Sequence, residues 1–390
     1  MPNDEDDQGD DWLALSDPDI GTDEMEQALL TLRSPQLSMG PKVAEFEGAF
    51  AAWVGRPQGV AVSSGTLGAC LLLKAWGVGA GDEVITTGYA WHQVAHAIAL
   101  VGATPVLVDI DYWSGCIDPA SAERAIGPRT RVLLAGNVNG HPADWAALRS
   151  LADRHGLKLL EDSTEAIGSR YQGRHVGTFG DAAVFDFSQP SALCTGQGGM
   201  LLCDDAGLAD ELRYLRERRV DDRRSVSVGS RVPWQAGMGE LEAAVGLAQL
   251  GRIDDILLRR KQVEAWYHGE MQSFEGIKPP YLADQVDEVH WMLYQVHLGK
   301  RFTASARNLL IEDMASNNLS TAAFCQPLHQ QFFYQQQGWK RGALPNTERI
   351  ADRSMVLPFH GHLDADHVRF IVKTLKDASV NVGAGAAIYL

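Results

Sequence analysis

The stretch Gly59-Val60-Ala61-Val62-Ser63-Ser64-Gly65-Thr66 begins the part of this 390-residue chain that decides its fold. A short apolar run is followed by a turn of small hydroxyl residues and by a helical pattern over 66–76. The same alternation recurs up to residue 161. It predicts strands at 83–86, 104–108, 131–135 and 158–161, and helices at 91–101, 119–126 and 144–155. Because the apolar strands alternate with helices, we expect an α/β fold of three layers, with a mostly parallel sheet covered on both faces.

The flanking segments predict a second, smaller unit. Further predicted elements are helices at 22–33, 43–54, 208–218, 240–258, 304–317 and 365–377, and strands at 182–187, 200–203 and 290–298. The sequence therefore predicts a disordered acidic tail over 1–21, a large domain over 22–255 and a small C-terminal α/β domain over 256–390.

Composition excludes several classes of protein. Hydrophobic residues make up 45% of the chain and the net charge is −16, which disfavours binding to nucleic acid. The sequence contains no run of apolar residues long enough to cross a membrane and no secretory signal pattern. Five scattered cysteines without a C-x-x-C pair predict reduced thiols, no metal site and a cytoplasmic location. They are Cys70, Cys116, Cys194, Cys203 and Cys325.

The turn Ser63-Ser64-Gly65-Thr66 is a candidate anion site. It lies between a predicted strand and a predicted helix, where free backbone N–H groups and the helix dipole favour a phosphate. The alternative is that Ser64 only caps the helix, since serine is favoured at that position in any case.

Glu161 and Asp162 end a predicted buried strand, at the edge of the sheet where ligands of such folds bind. A carboxylate placed there is able to pair with a protonated ring nitrogen, or else to cap the next turn. Trp91 could stack on a planar ring or simply belong to the core. His92 and His329 are candidate acid–base groups, although a lone histidine is more often a satisfied polar residue.

Several further segments, in the same order along the chain, resemble the sugar aminotransferases of the DegT/StrS type, which have the pyridoxal-phosphate (PLP) fold type I. The resemblance covers about residues 39–375. Its motifs are Ser64-Gly65-Thr66, Gly81-Asp82-Glu83-Val84-Ile85, Gly140-His141-Pro142-Ala143-Asp144, Glu161-Asp162, Gly177-Thr178-Phe179-Gly180-Asp181, Thr195-Gly196-Gln197-Gly198-Gly199 and Glu240-Leu241-Glu242-Ala243-Ala244. The resemblance implies that Asp162 faces the pyridine nitrogen, that Trp91 stacks on the ring and that the turn at Ser64, Gly65 and Thr66 holds the phosphate.

Four positions depart from the family pattern. Ser191 stands where the family has the lysine that binds PLP covalently, and Asp186 replaces a serine that touches the phosphate. Glu165 replaces a glutamine near the ring hydroxyl, and Gln235 begins a segment that has lost an asparagine and an arginine. Ser188 lies in the altered lysine segment and is a further candidate cofactor contact. No lysine occurs between Lys158 and Lys261, so no shift of the alignment restores one.

These departures have different chemical costs. A serine hydroxyl does not form an imine with an aldehyde, so the covalent link and its proton-shuttling amine are both lost. A carboxylate at about 4 Å from a phosphate costs several kcal/mol near a protein surface.

Three functions follow from this pattern as alternatives. The first is an enzyme that binds PLP or pyridoxamine phosphate (PMP) without a covalent bond and acts on an amino- or keto-sugar, for example a nucleotide sugar. Its base would be His92, Glu165, Asp186 or a water bound by Ser191. The second is a sugar aminotransferase with weak or unusual activity. The third is a cofactor-free homologue that regulates or partners an active aminotransferase. The resemblance also implies a homodimer, and neither nucleic acid nor a membrane is expected as a partner.

Overall fold

The computed structural model describes residues 12–38, 40–91, 94–217, 232–272 and 276–382. Its strands are β1 (Gln58–Val62), β2 (Glu83–Thr87), β3 (Thr104–Val108), β4 (Thr130–Gly136), β5 (Lys158–Asp162), β6 (Arg170–Tyr171), β7 (Arg174–His175), β8 (Ala182–Asp186), β9 (Gly199–Cys203), β10 (Ile277–Lys278), β11 (Val286–Glu288), β12 (Tyr294–Leu298), β13 (Ala322–Ala323) and β14 (Ser354–Leu357). Its α-helices are α1 (Thr22–Leu32), α2 (Pro41–Val54), α3 (Gly65–Ala75), α4 (His96–Leu100), α5 (Pro119–Ala125), α6 (Trp145–His155), α7 (Ala206–Arg216), α8 (Glu240–Gly251), α9 (Ile253–Met271), α10 (Ala304–Ser316), α11 (Phe332–Gln335), α12 (Pro345–Asp352) and α13 (Ala365–Asn381).

A seven-stranded sheet forms the centre of the large unit, in the order β1-β9-β8-β5-β4-β2-β3. Its strands run parallel except β9, which pairs antiparallel with both β1 and β8. Apolar clusters cover both faces, one around α3 and α7 and others around α2 and α6. The predicted mixed, mostly parallel three-layer α/β fold is therefore confirmed.

The C-terminal part contains a four-stranded antiparallel sheet in the order β10-β12-β14-β13. The short strand β11 pairs with β6, which belongs to the connection between β5 and β8. The domain boundary predicted at 255/256 falls inside α9, which packs along α13; the division into domains stays a prediction.

Residues 12–21, which the sequence analysis assigned to the acidic tail, make specific contacts. Leu13 forms a bridge with Leu319, and the Phe359 N–H donates to the Leu15 carbonyl at 3.0 Å. Residues 1–11 lie outside the described part of the chain. No helix within the described ranges combines the length and the apolar character needed to cross a bilayer.

Two predicted helices are wrong in extent. Among the described residues, the helix predicted over 91–101 is present only as α4, and the N–H of Trp91 donates to the Glu165 carboxylate. The helix predicted over 240–258 is two helices that meet at Arg252, after Gly251. Asp254 and Asp255 in the first turn of α9 favour a new helix N-terminus there.

Candidate functional site

Three chain segments bring the predicted site residues to the carboxyl edge of the central sheet. β1 leads into the Ser63–Ser64 turn and α3, β5 ends at Asp162 and β8 ends at Asp186. Since these three strands are parallel, their carboxyl ends lie on one edge. The isolated bridge between Ser64 and Gly198 also ties the α3 turn to the segment that leads into β9. This is the edge at which ligands bind in folds of this type.

The N-terminus of α3 is occupied by the side chain of Asp186. The Gly65 N–H donates to Asp186 Oδ2 at 2.6 Å, and the Ser188 N–H donates to Oδ1 at 2.8 Å. The Ser188 hydroxyl also donates to Oδ1. Asp186 is only 7% exposed, so this negative charge is held close to the positive end of the helix dipole.

Ser64 acts as the N-cap of α3. Its Oγ accepts a hydrogen bond from the Leu67 N–H at 3.3 Å, as the capping alternative requires. A Cβ on Gly65 would lie 2.8 Å from Asp186 Cβ, so glycine allows the carboxylate its close approach. Thr66 is half-buried and lines a mostly apolar groove of about 470 Å³ with Leu100 and Phe333.

Asp162 is a second buried acid at this edge. Its Oδ1 accepts a hydrogen bond from the Thr164 N–H at 3.1 Å. Burial raises the pKa of the Asp162 carboxyl to about 6, hydrogen bonds from Thr164 oppose this, and the negative charges of Asp186 and Glu161 raise it further. An acid kept ionised at neutral pH in such a place is typical of a ligand-binding site.

Glu165 joins two loops. Its Oε1 accepts from the Trp91 N–H at 2.8 Å and its Oε2 from the Asn139 N–H at 2.5 Å. The Trp91 ring packs against Phe324, with ring centroids 5.7 Å apart. Both oxygens of Glu165 therefore hold backbone, which is a structural role rather than that of a free general base.

Ser191 lies in the loop between β8 and β9 and is partly buried. Its Oγ is closed off from solvent and has no hydrogen-bond partner among the described residues. Gln235 is exposed, and its neighbour Ala236 accepts a hydrogen bond from the Ser63 N–H at 2.8 Å. The Gln235 segment thus lies beside the α3 turn.

The two candidate histidines differ in outcome. His92 lies outside the described residues. His329 is fully buried, and its Nε2 lies 2.9 Å from Glu348 Oε1. The pairing of Nε2 fits the alternative of a satisfied polar residue, but Nδ1 is buried without a hydrogen-bond partner among the described residues. The ring lies beside Gly88, which follows β2, and no hydrogen bond in the described part of the chain joins it to Asp162 or Asp186.

Two further residues support this edge; the sequence analysis named Glu161 only as an acid at the end of a strand and missed Asn139. Glu161 is fully buried and accepts from the N–H groups of Gly177, Phe179 and Gly180 at 2.5, 2.8 and 3.2 Å. Asn139 has a positive φ of 51° and also accepts from the Leu293 N–H through its Oδ1 at 3.0 Å. The pair Asn139-Gly140 was an available signal for Asn139, since asparagine and glycine favour such turns.

The fold is that of the PLP-type aminotransferase class. Comparison with known proteins places the chain more narrowly, because residues 18–376 match the model of the DegT/DnrJ/EryC1/StrS aminotransferase family. The chain belongs to that family.

Individual relatives are similar along almost their whole length. The spore coat polysaccharide biosynthesis protein SpsC of Bacillus subtilis is 35% identical over 378 residues, which cover 94% of this chain and 97% of that protein. Spr1654 from Streptococcus pneumoniae in its PLP form superposes with a TM-score of 0.89 at 26% identity, over 95% of this chain and 99% of that one. The sugar aminotransferase CalS13 from Micromonospora echinospora gives 0.84 at 27% identity, over 94% and 99%.

The residues present fit one end of PLP and not the other. At the ring end, Asp162 is a buried carboxylate able to accept a hydrogen bond from a protonated pyridine nitrogen. At the phosphate end, the Gly65 N–H already donates to the Asp186 carboxylate. The lysine for a covalent link is absent as well. The site therefore does not fit the covalently held, phosphorylated cofactor, and we assign no catalytic step to that group.

Proposed function

We propose that this chain is a sugar-binding member of the family that does not transfer amino groups and that serves as a regulatory or partner subunit of an active aminotransferase. Membership of the family supports a role related to that of the PLP-dependent sugar aminotransferases. The proposed loss of amino transfer rests on Ser191, because a hydroxyl cannot take over the imine chemistry of a lysine amine.

Two observations support the loss of the reaction. The Ser191 hydroxyl is closed off from solvent and has no hydrogen-bond partner among the described residues, so no base among them is placed to activate it as a nucleophile. Both oxygens of Glu165 accept backbone N–H groups, which leaves this candidate base committed to holding two loops. Replacement of the lysine is thus not compensated by either of these residues.

One observation favours a second candidate, an enzyme that holds PLP or PMP without a covalent bond. Burial raises the pKa of Asp162 to about 6, so keeping this carboxylate ionised at neutral pH destabilises the protein unless a cation pairs with it. A protonated pyridine nitrogen would be such a partner. Spr1654 has been solved in PLP and PMP forms.

The ligand that we propose is an amino- or keto-sugar, including its nucleotide-activated forms. The family resemblance implies a homodimer. In the proposed complex, which would form in the cytoplasm, an active relative takes the place of one of the two subunits. Co-expression with such a relative, followed by affinity purification and light scattering, tests this association. Recovery of only the homodimer would contradict the partner role.

The chemical part of the proposal is tested by a coupled transamination assay with glutamate and a keto-sugar nucleotide. We expect no amino transfer above the rate without protein. An absorbance band of vitamin B6 that survives desalting, together with turnover, would refute the proposal and support the second candidate. Calorimetric titration with the same sugar nucleotide should show saturable binding. An absence of binding would refute the proposal that the protein binds sugars.

A lysine introduced at position 191 provides a gain-of-function comparison. Ser191→Lys is paired with Ser188→Lys, which adds the same amine three residues earlier in the same loop. After incubation with PLP and borohydride reduction, mass spectrometry locates any pyridoxyl group. Labelling at 191 and not at 188 would show that the ring end of the site is preserved.

A further inference from the structure

We infer that the carboxylate of Asp186 is a built-in replacement for a ligand's phosphate at the N-terminus of α3, and that it makes this end of the site select against ligands that place a phosphate there. The inference deepens the proposed function, and it rests on that function only in assuming that no cofactor is covalently attached. It concerns which ligands this end of the site accepts.

The geometry at the helix start is that of an occupied anion site. α3 begins at Gly65, and the first backbone N–H of the helix donates to Asp186 Oδ2 at 2.6 Å. The other carboxylate oxygen accepts from the N–H and the hydroxyl of Ser188. Backbone N–H groups at a helix N-terminus and a serine hydroxyl are the donors that proteins use for phosphate oxygens. Here the carboxylate of Asp186 accepts three such hydrogen bonds, from the Gly65 N–H, the Ser188 N–H and the Ser188 hydroxyl.

The space at this turn is also taken. A Cβ built on Gly65 would lie 2.8 Å from Asp186 Cβ and 3.1 Å from its Oδ2. The glycine therefore admits a close neighbour, as a phosphate-binding turn does, but that neighbour is a side chain of the same protein. Asp186 comes from 121 positions further along the chain, so the contact depends on the pairing of β8 within the central sheet.

Charge decides the selectivity. A helix N-terminus carries roughly half a positive charge, which the single negative charge of Asp186 already exceeds. A phosphate that approached the same N–H groups would meet a carboxylate instead of a free positive end, and like charges at contact distance repel strongly in a poorly solvated site. An uncharged or positively charged group meets no such barrier. The site thus favours ligands that lack a phosphate at this end.

The test compares two ligands that differ only in their phosphate, PMP and pyridoxamine. Neither has an aldehyde, so neither reacts with surface lysines. Binding is measured by isothermal titration calorimetry to the full-length wild-type protein and to Asp186→Asn and Asp186→Ala. Asparagine keeps an oxygen for the Gly65 N–H and removes the charge, while alanine also removes the oxygen.

Asp205→Asn is the matched control. Asp205 caps α7, which like α3 has 11 residues, and accepts from the Gly207 N–H at 2.8 Å. The control removes one negative charge from a helix N-terminus away from the site. Circular dichroism confirms that every variant is folded.

For the wild type and the Asp205→Asn control we expect PMP to bind no more tightly than pyridoxamine. For both Asp186 variants we expect PMP affinity to rise by about tenfold or more, which is a modest part of the repulsion between two close charges, with pyridoxamine unchanged. Inorganic phosphate at millimolar concentration should compete with PMP in these variants only.

Three results would overturn the inference. In the first, the wild-type protein binds PMP about tenfold more tightly than pyridoxamine. In the second, the folded Asp186 variants show no gain in PMP affinity. In the third, PMP binds none of the four folded proteins. Amino transfer by the wild type is measured separately. It would refute the proposed function without changing the PMP-to-pyridoxamine ratios, so the two failures are distinguishable.

Discussion

Replacing Asp162 by asparagine should stabilise this protein at neutral pH and leave it almost unchanged in acid. Burial raises the pKa of Asp162 from its ordinary value of 3.8 to about 6, with Asp186 and Glu161 adding to the increase. Asparagine keeps the oxygen that accepts from the Thr164 N–H at 3.1 Å. The substitution therefore removes the buried charge and retains the hydrogen bond.

The size of the effect follows from proton linkage. Between the two pKa values the native state binds more protons than the unfolded state, so stability falls as the pH rises. The penalty is close to zero at pH 3, grows between about pH 4 and 6, and is complete above about pH 7. The difference between 3.8 and about 6 corresponds to about 3 kcal/mol at pH 8. At pH 4 it amounts to about 0.5 kcal/mol.

The assay is urea unfolding followed by tryptophan fluorescence at pH 4 and pH 8, which lie on either side of the isoelectric point of about 5.1. Asp153→Asn is the control, because Asp153 lies on the surface of α6 with its side chain 64% exposed. We expect Asp162→Asn to raise the free energy of unfolding by about 2–3 kcal/mol at pH 8 and the control to change it by less than about 0.5 kcal/mol.

An Asp162→Asn protein that is no more stable than the wild type at pH 8 would refute the assignment of a costly ionised carboxylate. A gain of the same size at both pH values would refute the electrostatic cause. Under the second candidate function, saturating PMP should stabilise the wild type and reduce or reverse the advantage of the variant, because Asp162 would then have a cationic partner.

Four further substitutions test the scaffold. Gly140→Ala should destabilise the protein by more than about 3 kcal/mol, because Gly140 has a φ of 101° and a Cβ there would lie 2.3 Å from the His290 carbonyl oxygen. Gly156→Ala, with a φ of 63° and open space, should cost only about 1 kcal/mol, and thermal unfolding distinguishes the two. Glu161→Ala should cost about 3–5 kcal/mol in denaturant unfolding, because it leaves three loop N–H groups buried without their acceptor; an effect below about 1 kcal/mol would contradict that role. Glu240→Ala should release the start of α2, where the carboxylate accepts from the N–H groups at 40, 42 and 43, and this is measured as faster amide exchange in α2 without faster exchange in α10.

The contacts at the start of α3 show how the family fold accommodates a carboxylate at this turn. Asp162 and the turn at Ser64 and Gly65 lie together at the carboxyl edge of the central sheet. Asp186 supplies the turn with an anion from within the chain, so the helix start is satisfied without a phosphate. Serine at position 191 leaves no amine for a covalent imine there, while the internal carboxylate satisfies the local structure.

The sequence by itself determined the local elements and the missing amine. Apolar periodicity depends on neighbouring residues, so the strands from β1 to β5 and the helix α6 lie within a residue or two of their predictions. The absence of lysine between Lys158 and Lys261 is likewise readable without a structure.

Only the tertiary structure decided where polar side chains find their partners. Trp91 lies outside α4, and its N–H donates to Glu165, 74 positions away. The helix predicted over 240–258 breaks at Arg252, whose guanidinium is held by Glu24 and Asp19 from the N-terminal part of the chain. Asp186 reaches Gly65 across 121 positions. Hydrogen bonds and charge pairs of this kind depend on which strands and helices pack together. A local pattern of residues does not predict that packing.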